Sequence, residues 1–256
     1  MNLYSLLKTQ KGFRNVIFLA LLLSSGPTLL SADAMVGEFR ASATVLEVAG
    51  AAWAKRFSND IRSDEEIEWE VRIPENYSAE SPPGVMVYIS PGKSGKIPRQ
   101  WKNVLDKHNL IWIAANHSGN RTDTRLRISY AVLAPIFLGK TYRFDMNRVY
   151  ISGLSGGGRV ASIVAPLYGS LFKGAIYICG VNDMNAVSKA TKALLKTNRF
   201  VFLTGDKDFN RKETKKRFRA YQRKGFDNTL YLQIRGMGHE NPKAAGFESA
   251  VKFLDG

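Results

Sequence analysis

The sequence predicts an α/β fold, a mostly parallel central sheet with helices on both faces. Short apolar, β-rich runs alternate with longer helical runs from Ile67 to Leu254, the rhythm of strands joined by crossover helices. No internal repeat or linker breaks that rhythm, so residues 35–256 read as a single domain. The chemistry-bearing residues fall just beyond predicted strands, where ligand chemistry gathers in parallel sheets.

The elements follow in order. Lys8, Lys11 and Arg14 precede the apolar run Val16 to Leu23, and Ala32-Asp33-Ala34 supplies an A-x-A cleavage site. Together they describe a secretory signal peptide over residues 1–34. Its apolar core is short for a spanning helix, and an uncleaved membrane anchor is the alternative reading. Cleavage near Ala34 leaves about 222 residues, secreted or periplasmic and enough for one well-buried domain. Residues 35–64 fit either an extra strand or a helix at the sheet edge. Strands are expected at Ile67 to Ile73, Val85 to Ile89, Leu110 to Ala114, Val149 to Ser152, Ala175 to Cys179, Phe200 to Leu203 and Thr229 to Ile234. Helices are expected at Arg99 to His108, Arg125 to Gly139, Gly157 to Leu167, Lys212 to Arg223 and Ala244 to Leu254.

Between the strand at Val149 and the small-residue helix after Gly157 lies Gly153-Leu154-Ser155-Gly156-Gly157. A G-x-S-x-G turn between strand and helix is the setting of a nucleophile elbow, which exposes a serine on a sharp, strained turn. Ser155 is therefore the candidate nucleophile. Its base must be a histidine, and the chain has three. His239 lies in the glycine-bracketed loop Arg235 to Pro242 beyond a strand, whereas His108 belongs to a polar helical stretch and reads as a surface residue. His117, in Asn116-His117-Ser118-Gly119-Asn120-Arg121, reads as a substrate-binding candidate at the rim.

The carboxylate that orients the base should follow Phe200 to Thr204, where Gly205-Asp206-Lys207-Asp208-Phe209-Asn210 offers two aspartates. The longer reach favours Asp208, leaving Asp206 to cap the turn or the next helix. The chain order serine, aspartate, histidine is that of one hydrolase class and opposite to the chymotrypsin type. An oxyanion needs backbone donors. Gly156 gives one amide; the loop Pro91-Gly92-Lys93-Ser94-Gly95-Lys96 after Val85 to Ser90 gives the other, placed at Lys93. Gly92-Lys93-Ser94 mimics a phosphate loop, but Val87 stands where the earlier glycine is required, so a nucleotide-hydrolase reading fails.

With these residues assembled, the chain resembles the α/β-hydrolase family over roughly Ile67 to Leu254. Within it, the resemblance is to exported esterases related to polyhydroxybutyrate depolymerases and feruloyl or acetylxylan esterases. Its most specific block is Tyr142 to Gly180, above all Arg148 to Gly158 and Ile178-Cys179-Gly180. The His-Gly pair common at the family's oxyanion loop is Pro91-Gly92 here. No long lid insertion is visible, which by analogy argues against a lipase of long-chain fats. The resemblance implies a carboxylic-ester hydrolase working through a Ser-His-Asp triad and an acyl-enzyme. A serine peptidase of the same class and a catalytically silent binder of anionic envelope polymers are the alternatives.

The single cysteine, Cys179, excludes an intramolecular disulfide and reads as a buried, inert thiol. Three dispersed histidines and one cysteine show no metal-ligand spacing, so neither metal nor cofactor is expected. The formal charge is +15, about +13 without the leader, with its densest run at Arg211 to Lys224. That surface suits an acidic polysaccharide, cell envelope or anionic lipid. Nucleic acid is a poor partner for an exported chain with no stacking platform. The expected substrate is an ester, polymeric or carbohydrate-linked in the fuller form of the reading.

Overall fold

The computed structural model describes residues 35–184 and 187–256, so the expected signal peptide lies outside the described residues. Its strands are β1 (Gly37–Thr44), β2 (Glu66–Ile73), β3 (Gly84–Ile89), β4 (Leu110–Ala115), β5 (Val149–Leu154), β6 (Gly174–Ile178), β7 (Arg199–Gly205) and β8 (Thr229–Ile234). They form one sheet in the order β1-β2-β4-β3-β5-β6-β7-β8. Every pair from β4 to β8 is parallel, while β2 runs antiparallel to both β1 and β4.

Burial explains which runs were legible. β3, β4 and β6 are buried at every position, so they read as continuous apolar runs. β1 alternates between half-buried and exposed positions, putting Glu38, Arg40 and Ser42 on the wet face of an edge strand. The stretch that fitted a strand or a helix is both. Thr44 ends β1 and opens α1 (Val45–Phe57) through a capping box with Glu47, and Gly50 kinks that helix.

The remaining helices are α2 (Lys102–Lys107), α3 (Thr124–Leu138), α4 (Gly156–Leu167), α5 (Lys189–Leu195), α6 (Arg211–Arg223) and α7 (Ala244–Asp255). Side chains of α1, α3 and α4, with Tyr221 of α6, share a core with Val85, Val87 and Ile89. Those of α2 and α7 share the opposite core with Met86 and Tyr88. Alternate residues of β3 thus feed two layers. Sequence reading passed over α5, whose one buried residue is Leu195; a helix with a single core contact carries almost no periodic signal.

On the α2 and α7 side, the Trp101 ring stacks on Phe247 at 4.0 Å, and its Nε1 donates to the Pro242 carbonyl at 2.8 Å. Tyr88 Oη donates to Asn241 Oδ1 at 3.1 Å. These contacts fasten the far end of the loop that carries His239. No helix among the described residues is long and apolar enough to cross a membrane.

Candidate active site

Ser155 occupies the one-residue turn between β5 and α4, with φ 56° and ψ −117°. A left-handed φ on a residue with a side chain costs about 1 to 3 kcal/mol and persists only where its surroundings over-determine it. Here the Ser155 N–H donates to the Ile178 carbonyl at 2.8 Å, and the next turn packs too tightly for any side chain. A Cβ at Gly157 would stand 1.8 Å from the Ile89 carbonyl oxygen. Gly157 is thus fixed by contact with β3, and Gly153 by contact with the backbone of Gly157 and Gly158.

The acid loop after β7 and the histidine loop after β8 meet at one hydrogen bond, His239 Nδ1 to Asp208 Oδ1 at 2.7 Å. The Asp208 side chain is 0% exposed and that of His239 20%. Burial by itself raises the Asp208 pKa. Hydrogen bonds from Thr204 Oγ1 at 2.6 Å, from His239 and from the Asn210 N–H at 3.0 Å outweigh it and hold the carboxyl below its ordinary value. Asp208 is therefore an anion held at one edge of the imidazole.

Asp206, the competing aspartate, accepts the Gly236 N–H at 2.7 Å, while the neighbouring Lys207 N–H donates to the Met237 carbonyl at 3.1 Å. Asp206 ties the backbone of the histidine loop; Asp208 touches the ring. The Ser155 hydroxyl makes no hydrogen bond to His239 in this arrangement, a contact that commonly closes only when substrate is seated. Cys179-Gly180 lies between them. Gly180 packs on the Ser155 backbone, and the Cys179 sulfur sits within 4.8 Å of donor atoms of both Asp208 and His239.

Of the expected oxyanion donors, Gly156 opens α4, where its N–H has no intrahelical acceptor. The Lys93 N–H likewise donates to no described group, whereas the Gly92 N–H is taken by Ser90 Oγ at 3.1 Å. His117 is exposed with φ 56°, and its N–H donates to the Lys93 carbonyl at 2.6 Å. Its backbone therefore braces the loop of Lys93, and its side chain is exposed. Asn120 reaches further in, its side chain lying against Gly156.

Sequence reading passed over Phe209. Its ring is stacked on the His239 imidazole at 4.0 Å and 21°, yet the residue is 76% exposed. A lone aromatic in the polar run Asp206 to Asn210 was the available signal. His108 corrects the surface reading: its side chain is only 12% exposed, and Nδ1 pairs with Asp255 Oδ2 at 2.9 Å beside the end of α7. Spacing gave no metal set, but folding gathers Cys179, Asp208 and His239 as three possible ligands. Two of them are already hydrogen-bonded to each other. Burial, with the Asp208 charge beside it, pushes the Cys179 thiol up to about 12, which keeps the soft ligand protonated.

This sheet order and these loops define the α/β-hydrolase fold. Three proteins illustrate the many solved structures that share this architecture. The S-formylglutathione hydrolase of Staphylococcus aureus has 12% identity and a TM-score of 0.61, covering 86% of this chain and 99% of its own. A ferulic acid esterase has 16% identity and a TM-score of 0.59, covering 86% and 97%. The fluorophosphonate-binding serine hydrolase F of Staphylococcus aureus, with substrate bound, has 13% identity and a TM-score of 0.60, covering 86% and 99%. The model of the prolyl oligopeptidase family matches residues 132–254. No curated protein matches the sequence.

Proposed function

We propose that this chain is a serine hydrolase that cleaves carboxylic esters. The observation that carries the reading is the 2.7 Å bond from His239 Nδ1 to Asp208, which leaves Nε2 as the imidazole's basic nitrogen. In this mechanism His239 Nε2 takes the proton of Ser155 Oγ as that oxygen attacks the acyl carbon. The N–H groups of Lys93 and Gly156 hold the resulting oxyanion. Histidine returns the proton to the departing alcohol, leaving an acyl-enzyme. Water then repeats the sequence and releases the acid.

The ester preference is supported by the names of the structural relatives, among them a ferulic acid esterase. A peptidase is the second reading, because the matched family model is that of prolyl oligopeptidases. Incubation with a fluorophosphonate should place one adduct on Ser155, and Ser155→Ala should fold yet lose both the adduct and turnover. Turnover retained in that variant would overturn the reading. Paired ester and short-peptide substrates then separate esterase from peptidase.

The finer reading is an exported enzyme of the polyhydroxybutyrate depolymerase and feruloyl or acetylxylan esterase branch, acting on polymeric or carbohydrate-linked esters. It draws on the leader-like residues 1–34 and on the basic helix α6. Lys212, Lys216, Arg219 and Arg223 have no ion-pair partner among the described residues, while Arg217 pairs with Asp183. Export is checked by the mature N-terminus, expected near Met35. An anionic envelope partner is checked by salt-sensitive binding of an acidic polysaccharide. Such binding without Ser155 labelling would favour a silent binding protein instead.

A further inference from the structure

Arg127 lies in the first turn of α3, at the head of an otherwise apolar stretch, and is 4% exposed. A buried cation is costly unless a carboxylate faces it. None of the described acids pairs with this one, and burial alone lowers its pKa to about 10, so it stays charged at neutral pH. Its partners are two backbone carbonyls: Nε donates to Ser118 at 2.7 Å and Nη2 to Ser90 at 3.0 Å.

Those carbonyls belong to two loops fastened along their length. The Asn120 N–H donates to the Pro91 carbonyl at 2.9 Å, the His117 N–H to the Lys93 carbonyl at 2.6 Å, and the Gly95 N–H to Asn116 Oδ1 at 2.8 Å. Between these bonds the Gly92 carbonyl rests against Gly119, where a Cβ would come within 2.8 Å of its oxygen. In a trans peptide the carbonyl and the N–H point in opposite directions. Seating the Gly92 oxygen on the second loop therefore turns the Lys93 N–H away from it, the direction in which that N–H has no acceptor.

We propose that Arg127 is a positioning residue for ester hydrolysis, a fixed cation beneath the oxyanion loop that locks the Lys93 amide outward and adds positive potential where negative charge develops. This rests on the hydrolase reading above. Removing the cation should then weaken the transition state more than the bound substrate.

The test compares Arg127→Gln, which keeps a donor and loses the charge, with Arg127→Lys, which keeps the charge on a single ammonium. Melting temperature, kcat and KM on p-nitrophenyl acetate, and affinity for phenylboronic acid are measured on the purified protein. The boronate forms a bond from boron to Ser155 Oγ, the hydroxyl proton passes to His239, and the adduct is a tetrahedral anion. For Gln we expect kcat to fall about 10- to 100-fold with KM within about threefold, boronate affinity falling in parallel, and a smaller loss for Lys. A folded Gln variant with parental kcat, or equal losses in Gln and Lys below about pH 7, where the lysine keeps its charge, overturns the proposal. Should Gln fail to fold, Lys decides by itself. A buried lysine discharges between about pH 7 and 10, so its kcat relative to the parent should fall across that range; a flat ratio overturns the proposal. A parent that neither hydrolyses esters nor is labelled at Ser155 overturns the hydrolase reading too, whereas an active parent with an indifferent Gln variant overturns this inference alone.

Discussion

The loops on the two sides of Ser155 are built from opposite materials. On the side of β3 and β4, backbone carbonyls are engaged by amides and by the buried Arg127, and the Lys93 N–H is left open. On the side of β7 and β8, a buried carboxylate collects donors from Thr204, Asn210 and His239. The first region leaves a donor open beside positive charge; the second gathers donors around an anion. Acyl transfer through a serine creates an oxyanion and an imidazolium together, and each region is complementary to one of them.

The largest effect expected from breaking this division is on the anionic side. Asp208→Asn should keep the fold and reduce kcat by about 10⁴, because the imidazole loses the acceptor that fixes its tautomer. Stopped assays at saturating substrate on folded protein check this, and a loss under about tenfold would reassign the carboxylate. On the donor side, Lys93→Pro removes the amide and should cost about 10² to 10³ in kcat, whereas Lys93→Ala, which keeps it, should change kcat less than about twofold. Similar effects in the two variants would mean that the side chain acts and the amide does not.

Asp206→Asn sharpens the contrast between neighbouring aspartates. It disturbs the histidine loop through Gly236 without touching the ring, so kcat should fall no more than about tenfold, with faster amide exchange over residues 235–239. Phe209→Ala exposes one face of the imidazole and should lower kcat a few-fold, about 1 kcal/mol. Parental kcat with a raised KM would reduce Phe209 to a substrate contact.

The smallest effect concerns stability. The Asp208 carboxyl has a folded pKa below its ordinary value, so its ionised form stabilises the fold above the unfolded pKa, and that stability is lost as pH falls through the lowered folded value. Urea melts of the parent and Asp208→Asn should therefore differ most near neutrality and converge below about pH 4.

How much of this was legible in the sequence depended on distance along the chain. The turn at Ser155 is local, since strand, glycines and helix are contiguous, and the buried strands announce themselves as apolar runs. The choice between Asp206 and Asp208 was also nearly local, a matter of reach within one loop. Arg127 and Phe209 had no such signature: their roles reside in contacts with Ser90 and His239, 37 and 30 residues away along the chain. Cys179 was legible as buried but not as a neighbour of Asp208 and His239. His108 was misjudged because its partner, Asp255, lies 147 residues on.

The anchoring of the histidine loop also bears on how the protein becomes active as it folds. Trp101 holds Pro242 across 141 residues and Tyr88 holds Asn241 across 153. Contacts of such high sequence separation close late, after shorter loops have formed. Refolding should therefore restore helical signal before it restores a reactive serine, and the emission of Trp101, stacked on Phe247 beside the histidine loop, provides an optical clock for that last step once the other three tryptophans are replaced by phenylalanine.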